Sequence, residues 1–440
     1  MIETSKRSRR GRRTVVAASA LALTAATAVG IAAPSFAASK VTITVWAQNG
    51  QAGEVATAKA EVAAFNKSQG AVVAKLSLLP QGTFDQTIAT TGPNSLGDVV
   101  EINGETLAAD VYDGKVAALK GLLPASSFSN ELSSIQAEGT WQGKAYSVSQ
   151  YDSGLALYGN KSLLAAAGVT NVPTTWQKAW TVTQFNDVLS KLAAKSNQGY
   201  AIDLKENYGG EWPGYAFTPV VNSAGFALVK NNKASGSLNS AKVAAALTHF
   251  ADWKKYTDPN ADDKAFDSGR VGLAWVGHWE YPQFAKALGS NLVVIPLPNF
   301  GAGSKSGQGS HSWIISSGSK HKTADAKFLQ FITSDKWINT LTNANGAVPA
   351  TKSAIAKSKL YKKGGPLYLY TQQLNASCGS GAPTTKCVTV PRTISPAWPT
   401  INQAFSTAFW NIYHGANAQS ELNKAAQTID QYYADNNNFK

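Results

Sequence analysis

The chain has 440 residues, of which 44% are hydrophobic and 15% are charged, and it contains 37 glycines and 17 prolines. This composition is that of an ordinary folded protein and excludes a disordered, collagen-like or coiled-coil chain. The length exceeds what one hydrophobic core usually supports, so we expect two globular units. The formal net charge is +13, but part of the basic excess is concentrated at the very start of the chain.

Residues 1–37 have the pattern of a secretory signal peptide. Six basic residues come first, a run rich in Ala, Val and Leu follows, and Ser35 and Ala37 stand at the −3 and −1 positions. This order predicts cleavage after Ala37 and a secreted or extracytoplasmic location. Arg12 and Arg13 also fit a twin-arginine export signal. An uncleaved membrane anchor is the alternative, but Ala, Thr and Gly make the run weakly apolar.

The mature chain is predicted to carry a moderate charge. Removing residues 1–37 takes away six basic residues and one acidic residue, which leaves a net charge of +8. No block of Lys or Arg remains, so nucleic acid is not predicted as a partner. No later apolar run approaches the ~18–20 residues that a membrane-spanning helix needs.

Strand and helix patterns alternate along the rest of the chain. Val41, Ile43 and Val45 alternate with other residue types, which predicts a strand, and a helical pattern follows it. Further strands are predicted at 98–102, 271–275, 291–298 and 313–316, and helices at 240–256, 323–333 and 420–433. Segment 300–309 is predicted to be a flexible loop or a connection between lobes. The alternation predicts parallel βαβ units and an α/β fold, in which ligands bind beyond the carboxyl ends of the strands.

The two cysteines, Cys378 and Cys387, lie in a stretch rich in Gly, Pro and Thr. In an exported chain, such a close pair predicts a disulfide that closes a short loop. A zinc site would need further Cys or His residues nearby, and the sequence has none there. We therefore predict a disulfide and no metal. No cysteine follows the apolar run, so a lipid anchor is not predicted.

The sequence carries none of the common enzyme motifs. The chain has neither G-x-S-x-G nor H-E-x-x-H, and the glycine-rich segment 301–308 lacks the Gly-Lys-Ser/Thr ending of a phosphate loop. Asp258, Asn260 and Asp262 are spaced like the start of a calcium loop, but the required Gly does not follow, so a turn is predicted. No cofactor is predicted. The paired carboxylates of a glycoside hydrolase can come from distant positions, so that activity stays an alternative.

Aromatic residues are abundant, with 12 Trp, 15 Tyr and 16 Phe, and many stand beside Gly or Pro. Examples are Trp46, 211–215, 277–280 and 396–399. A flat indole ring covers the apolar face of a sugar, while Asp, Glu, Asn, Gln and His bond its hydroxyls. The pattern therefore indicates a carbohydrate site. Core packing is the alternative for each single Trp.

Short motifs follow one another along the mature chain in a recognisable order. They are QGKAY (142–146), ALYGNK (156–161), VPTTW (172–176), FDSGRVGLAW (266–275), GHW (277–279), IPLP (295–298), ADAKFLQFITS (324–334), NGAVPA (345–350) and PR (391–392). In this order and spacing the chain resembles the solute-binding proteins of sugar ABC importers, the extracellular family 1 to which the maltose-binding protein belongs.

The resemblance implies two α/β lobes of the type II periplasmic-binding-protein fold, joined by hinge crossovers that close over a ligand. One lobe would hold 40–150 plus 311–352, and the other would hold 151–305 plus 356–440. It also implies a mono- or oligosaccharide ligand in the cleft, a monomer, no catalysis, and the transmembrane subunits of an ABC permease as partners.

The resemblance further implies which residues line the cleft. Trp279, with Glu280 beside it, matches the stacking position of the family's Gly-x-Trp element, and His311 replaces a Gly-Trp-type element. The other predicted ligand-binding residues are Gln48, Asn49, Glu101 and Asn103 after strand ends of the first lobe, Tyr151 and Asp152 at the first crossover, and Trp212, Tyr215 and Trp398 in the second lobe.

Three rival hypotheses stay open at this point: a non-sugar ligand, a glycoside hydrolase, and a receptor that signals to a sensor kinase without transport. Because a fold does not fix its ligand, the chain could bind a polyamine, a peptide or a polyol phosphate, which a charge-lined cleft with few aromatic rings would favour. A glycoside hydrolase would need two cleft carboxylates ~5–10 Å apart.

Overall fold

The computed structural model describes residues 40–379 and 382–439, so the predicted signal peptide lies outside the described residues. The strands are β1 (Val41–Asn49), β2 (Val72–Pro80), β3 (Val99–Asn103), β4 (Thr140–Trp141), β5 (Lys144–Ala145), β6 (Ser147–Val148), β7 (Tyr151–Asp152), β8 (Leu155–Asn160), β9 (Ile202–Asp203), β10 (Leu273–Gly277), β11 (Leu292–Ile295), β12 (Ser306–Gln308), β13 (His311–Ile315), β14 (Val348–Pro349) and β15 (Thr389–Pro391).

Helices connect and cover these strands. They are α1 (Ala52–Ser68), α2 (Phe84–Thr90), α3 (Leu107–Tyr112), α4 (Ala125–Ser129), α5 (Ser133–Glu138), α6 (Lys161–Ala166), α7 (Val182–Ala193), α8 (Trp212–Ala216), α9 (Thr218–Ser223), α10 (Ala241–Ala251), α11 (Tyr281–Leu288), α12 (Lys322–Ile332), α13 (Asp335–Asn345), α14 (Lys352–Ile355), α15 (Tyr368–Leu374), α16 (Trp398–Tyr413) and α17 (Ala418–Asp435). Within the described ranges, no helix is both long and apolar enough to cross a membrane.

The first sheet has the strand order β2-β1-β3-β13-β6. Alternate residues of β1 (Ile43, Val45 and Ala47) are buried, as its sequence pattern predicts. Helices α1 and α12 cover the sheet, where Phe65 packs edge-on against Phe328 with ring centroids 5.2 Å apart. β1 and β3 run in parallel, whereas β13 pairs with β3 in the antiparallel direction. The ends of β1 and β3 and the start of β13 therefore lie at one edge of the sheet.

The second sheet has the order β11-β8-β10-β9 and a hydrophobic core of its own. Phe217 of the α8–α9 junction stacks on Phe409 of α16 with centroids 4.2 Å apart, and Trp275 of β10 packs beside them. β8 is antiparallel to both β10 and β11. The predicted parallel pairing is confirmed where β1 pairs with β2 and β3 and where β10 pairs with β9, whereas β8 and β13 add antiparallel pairs to the two sheets. In both sheets the antiparallel strand, β8 or β13, arrives through a crossover from the other sheet.

Short strand pairs lie where the chain crosses between the sheets. β7 pairs with β14 in the antiparallel direction, and β12 pairs with β15 in parallel. The segment predicted as a flexible loop or connection, 300–309, thus contains a buried strand, because β15 satisfies its backbone groups. The strands of the first sheet fall within 40–150 and 311–352, and those of the second within 151–305. The lobe boundaries themselves remain our proposal.

The predicted disulfide joins Cys378 to Cys387. The Asp258–Asp262 region forms the predicted turn. There the Asn260 amide donates to Asp203 of β9 at 2.9 Å, and Arg270 binds Asp258 at 3.0 Å. Across the described residues, no group of three or more His, Cys, Asp or Glu is arranged to hold a metal ion.

Two buried acids next to the crossovers make the stability of the fold depend on pH. Burial raises the pKa of Glu131 to about 8, an effect that the backbone N–H of Ser149, 3.2 Å away, only partly offsets. Burial likewise raises the pKa of Glu61 to about 8. Because the folded state keeps the protons that the unfolded state loses above its ordinary carboxyl pKa, these groups destabilise the fold as pH rises towards 8.

We expect the Glu131→Gln variant to lose less stability than the wild type between pH 5 and pH 8. The amide oxygen can still accept the Ser149 hydrogen bond, but no charge has to form in the interior. The free energy of unfolding of the variant should exceed that of the wild type by about 2–4 kcal/mol at pH 8, and the two values should be close to equal near pH 4.5. Urea unfolding at a series of pH values measures it. Parallel curves for the two proteins would show that Glu131 ionises freely in the fold.

Candidate ligand-binding site

A cavity of about 480 Å³ opens between the two sheets. Its size is within the usual range for small-molecule sites. Seven of the twelve predicted ligand-binding residues line it, namely Gln48, Asn103, Tyr151, Trp212, Tyr215, Trp279 and His311. The other five, Asn49, Glu101, Asp152, Glu280 and Trp398, lie outside the lining that the described residues form.

One wall of the cavity is aromatic and belongs to the second sheet. β10 ends at Gly277, and the following single turn, His278–Glu280, carries Trp279. A Cβ atom at Gly277 would lie 2.1 Å from the Trp279 ring, so glycine is required for the ring to fold back over the strand end. Trp212 packs edge-on against Trp279 with centroids 5.9 Å apart, and Tyr215 lies 6.1 Å away.

These rings differ in their exposure. Trp212 and Tyr215 are 5% and 8% exposed, whereas Trp279 is only partly buried. Tyr208, which sequence analysis did not single out, also lines the cavity and lies 5.1 Å from Trp212. Trp279 and Tyr208 are therefore the rings of this cluster with surface available to a ligand, and Trp212 and Tyr215 pack beside Trp279.

The opposite wall is polar and is built from strand ends of the first sheet. Asn103 ends β3 and donates to Asp85 of α2 at 2.7 Å. His311 starts β13 directly opposite Asn103, because β13 is antiparallel to β3. Gln48, near the end of β1, completes this wall. The polar side chains thus meet at one edge because of strand direction, although they are far apart in sequence.

Glu101 lies behind this wall and orients it. Its carboxylate binds His311 Nδ1 at 2.8 Å and accepts the backbone N–H of Gln48 at 2.8 Å. Burial of His311 disfavours its charged form, but the carboxylates of Glu101, Glu54 and Glu211 outweigh burial and raise the His311 pKa to about 9. At neutral pH the imidazole is therefore protonated and offers its second N–H to the cavity.

Asp85 is a cavity-lining acid whose pKa lies close to neutral pH. Burial raises the pKa of Asp85 to about 7, and the nearby Glu211 carboxylate adds to this effect. The Asn103 amide lowers it only in part. Asp85 can therefore accept a hydrogen bond when ionised or donate one when protonated, close to neutral pH.

Of the remaining predicted residues, some form hydrogen bonds that hold lining residues in place, and one lies in the core. Asp152 is fully buried and accepts the N–H of Ser153, whose hydroxyl lies 2.8 Å from Tyr215 Oη. Glu280 accepts the Tyr208 hydroxyl at 2.8 Å. Trp398, at the start of α16, is 2% exposed within the core of the second sheet.

Asn49 is the last residue of β1, and its side chain is exposed and does not line the cavity.

Several lining residues were missed by sequence analysis. They include Gln51, Glu54, Asp85, Tyr208, Glu211, His278 and Arg392. Tyr208 and Glu211 stand beside glycines just ahead of Trp212 and could have been found from the same aromatic pattern. Asp85 and Arg392 carry no such local signal.

Two lobes with separate cores around one polar and aromatic cavity define a solute-binding protein. The chain belongs to the bacterial extracellular solute-binding protein family, whose family model matches residues 60–365. The match confirms the class of protein that the sequence motifs indicated. It also places the chain in a family of extracellular binding proteins, which are not enzymes.

Relatives and solved structures agree with this assignment. The diacetylchitobiose binding protein DasA of Streptomyces coelicolor is 24% identical over 326 residues, covering 70% of this chain and 73% of DasA. The GacH receptor of Streptomyces glaucescens, solved unliganded and with acarbose, is 22% identical, with a TM-score of 0.72 over 90% of this chain and 98% of its own.

An ABC transporter solute-binding protein of Thermotoga lettingae, bound with α-D-tagatose, is 19% identical. Its TM-score is 0.76 over 89% of this chain and 99% of its own. At these identities the structures establish the fold, which is the two-lobed α/β fold of maltose-binding-type proteins.

Proposed function

We propose that this chain is the secreted carbohydrate-binding component of an ABC importer, which holds a mono- or oligosaccharide in the cavity and delivers it to the permease. The observation that carries the proposal is the pairing of the Trp279 ring with hydrogen-bonding groups across the cavity. Asp85, Asn103 and His311 face it from the first sheet. A sugar needs both an apolar surface for its ring face and directional partners for its hydroxyls.

The charge of the lining limits the class of ligand. Carboxylates of Glu54, Asp85, Glu211 and Asp263 line the cavity, and the guanidinium of Arg392 is already paired with acids. An anionic ligand such as a polyol phosphate would meet this acidic surface unfavourably. A neutral sugar would satisfy the same oxygens with its hydroxyl donors. The acidic lining also suits a polyamine, which is therefore the second candidate.

The relatives support a sugar over a polyamine. DasA is described as a diacetylchitobiose binding protein, and GacH was solved with acarbose. By analogy we propose that the mature chain acts outside the cytoplasm as a monomer without cofactor or catalytic activity. In this proposal its partners are the sugar and the permease transmembrane subunits, not nucleic acid.

A thermal-shift screen of residues 38–440 tests the proposal. The panel contains mono- and oligosaccharides together with spermidine, short peptides and a polyol phosphate. A ligand at about 100 times its Kd stabilises the fold by about 2.7 kcal/mol, which corresponds to a rise in Tm of a few degrees. We expect the rise with a sugar. A rise with spermidine or a peptide, and none with any sugar, would overturn the carbohydrate assignment while keeping the family.

The screen also has an arm for catalysis. Each sugar that raises the Tm is incubated with the protein as its chromogenic glycoside. We expect no colour beyond the buffer control. Turnover that disappears in the Asp85→Asn or Glu211→Gln variant would instead identify a glycoside hydrolase.

A further inference from the structure

Both cysteines of the disulfide precede strand β15, and the segment that contains Cys378 pairs with the start of that strand. The backbone N–H of Cys378 donates to the Thr389 carbonyl at 2.8 Å, and the N–H of Val388 donates to the Ala376 carbonyl at 2.7 Å. The disulfide thus links this paired segment to Cys387, which stands two residues before β15 begins. A cross-link of this kind restricts where the strand can lie.

The same strand rests on the crossover between the two lobes. β15 pairs in parallel with β12, with Ser306 opposite Thr389. Lys305, next to β12, is fully buried, and its ammonium donates to the Thr384 carbonyl at 3.0 Å within the segment that the disulfide closes. The disulfide-closed segment is therefore held against the crossover by a buried lysine, and β15, which follows this segment, pairs with the crossover strand β12.

Arg392 is the first residue after β15 and lines the ligand cavity. Its guanidinium lies 2.5 Å from Glu105, 3.6 Å from Glu138 and 3.0 Å from Glu211. It also lies 5.0 Å above the Tyr215 ring. All three carboxylates are mostly buried, so this cation neutralises charges that have little access to water.

The three acids come from both sides of the cavity. Glu105 follows β3 and Glu138 ends α5, both on the side of the first sheet. Glu211 immediately precedes α8, on the side of the second sheet. Without the guanidinium, these carboxylates would repel one another across the cavity as the two sides approach. A buried acid left without its partner is strongly unfavourable.

We propose that the Cys378–Cys387 disulfide is a positioning element of the ligand site: it holds β15 on the crossover strand and so places Arg392 between carboxylates of both lobes. By neutralising these carboxylates, Arg392 permits the lobes to close over the ligand. The effect on affinity rests on the proposed function, whereas the placement of Arg392 does not.

A double-mutant cycle tests the proposal, using Arg392→Gln, the paired substitution Cys378→Ser/Cys387→Ser, and the combination of both. We expect Arg392→Gln to weaken binding of the ligand found in the screen about thirtyfold or more. Loss of the disulfide should weaken it about tenfold. The combined variant should bind as weakly as Arg392→Gln alone, since the disulfide acts through Arg392.

The matched control is Arg270→Gln. Arg270 also binds two acids, Asp258 and Asp262, but it does not line the cavity. We expect the Arg270→Gln variant to bind the ligand found in the screen with the same affinity as the wild type. Losses that multiply in the combined variant, or an unchanged affinity after disulfide removal, would overturn the positioning role.

The same variants are also compared without any ligand, by measuring how the free energy of unfolding of each depends on pH. Burial already raises the pKa of Glu105 and raises that of Glu138 to about 7, and the Arg392 guanidinium opposes this effect. Without Arg392, ionisation of these acids becomes more costly, so the destabilisation should be larger at pH 8 than at pH 5. The disulfide variant should also be destabilised more at pH 8 than at pH 5. In the combined variant, this pH-dependent part of the loss should be no larger than in Arg392→Gln alone. The other titratable groups facing the cluster are Asp85, Asp152, Tyr215 and His311.

This ligand-free arm separates the two claims. If no sugar binds but the pH-dependent losses do not add, the carbohydrate assignment fails and the placement of Arg392 by the disulfide stands. If sugars bind and the losses are additive at both pH values, the proposed function stands and the positioning role is contradicted.

Discussion

Trp279→Ala is expected to lower the affinity for the sugar ligand about ten- to a thousandfold while leaving the fold intact. Trp279 is one of the two partly exposed rings of the aromatic wall, and a stacking anchor of this kind contributes about 1.5–4 kcal/mol. Because the ring is only partly buried, its loss should leave a small cavity in the fold. Calorimetric titration measures the affinity, and circular dichroism with Tm measures the fold.

Trp176→Ala is the matched control for this substitution. Trp176 is also partly exposed, in a short turn of the second lobe, but it does not line the cavity. We expect its affinity to stay within twofold of the wild type, which is about 0.4 kcal/mol. If Trp279→Ala binds the sugar as tightly as Trp176→Ala does, Trp279 is not part of the site.

Lys205→Met is expected to reduce the free energy of unfolding by about 3–5 kcal/mol. The Lys205 ammonium is 1% exposed and lies 2.8 Å from Asp263, 3.6 Å from Asp203 and 3.5 Å from Glu280. Burial alone would lower the Lys205 pKa, but these carboxylates, Glu280 first, raise it above its ordinary value. Methionine fills a similar volume and removes the charge, so the acids lose their shared partner.

Urea unfolding measures this loss, with Lys191→Met as the control. Lys191 binds Asp187 at 2.7 Å, but both side chains are about half exposed. Such a surface pair contributes about 0–1 kcal/mol. Equal losses in the two variants would show that the buried cluster around Lys205 is no more important than a surface ion pair. Because Glu280 also holds Tyr208, we expect Lys205→Met to weaken ligand binding as well.

Part of the site could be predicted because its signals are local. The alternation in β1 fixes where the strand ends, and so places Gln48 at the sheet edge. Trp212 and Tyr215 stand beside Pro213 and Gly214, and Trp279 lies two residues after Gly277, where a ring is displaced from a regular hydrophobic stripe. These residues line the cavity, and the family resemblance pointed to them from the same segments.

The same signals could not separate lining residues from packing residues. Trp398 also stands beside Pro, yet its ring is 2% exposed in a core assembled from distant helices. Glu101 follows the alternation of β3 towards the cavity edge, but its carboxylate is taken up by His311 and Gln48. Both outcomes depend on long-range contacts that no local pattern contains.

Arg392 and Asp85 show most clearly which site residues local sequence patterns do not predict. Asp85 lies in the cavity because α2 follows β2 at the sheet edge, and its partner Asn103 comes from another strand. Arg392 reaches the cavity through the pairing of β15 with β12, two segments that are far apart in sequence. The antiparallel placement of β8 and β13 could not be predicted for the same reason, because strand direction is set by where a crossover enters.

A crystal structure of the complex with the sugar that gives the largest thermal shift would test the central claim most directly. The account predicts a sugar ring lying flat on the Trp279 indole, with hydroxyls bonded to Asp85, Asn103 or His311. A sugar found instead in the surface groove beside Tyr281 and Tyr368, with the cavity between the sheets left to solvent, would contradict it.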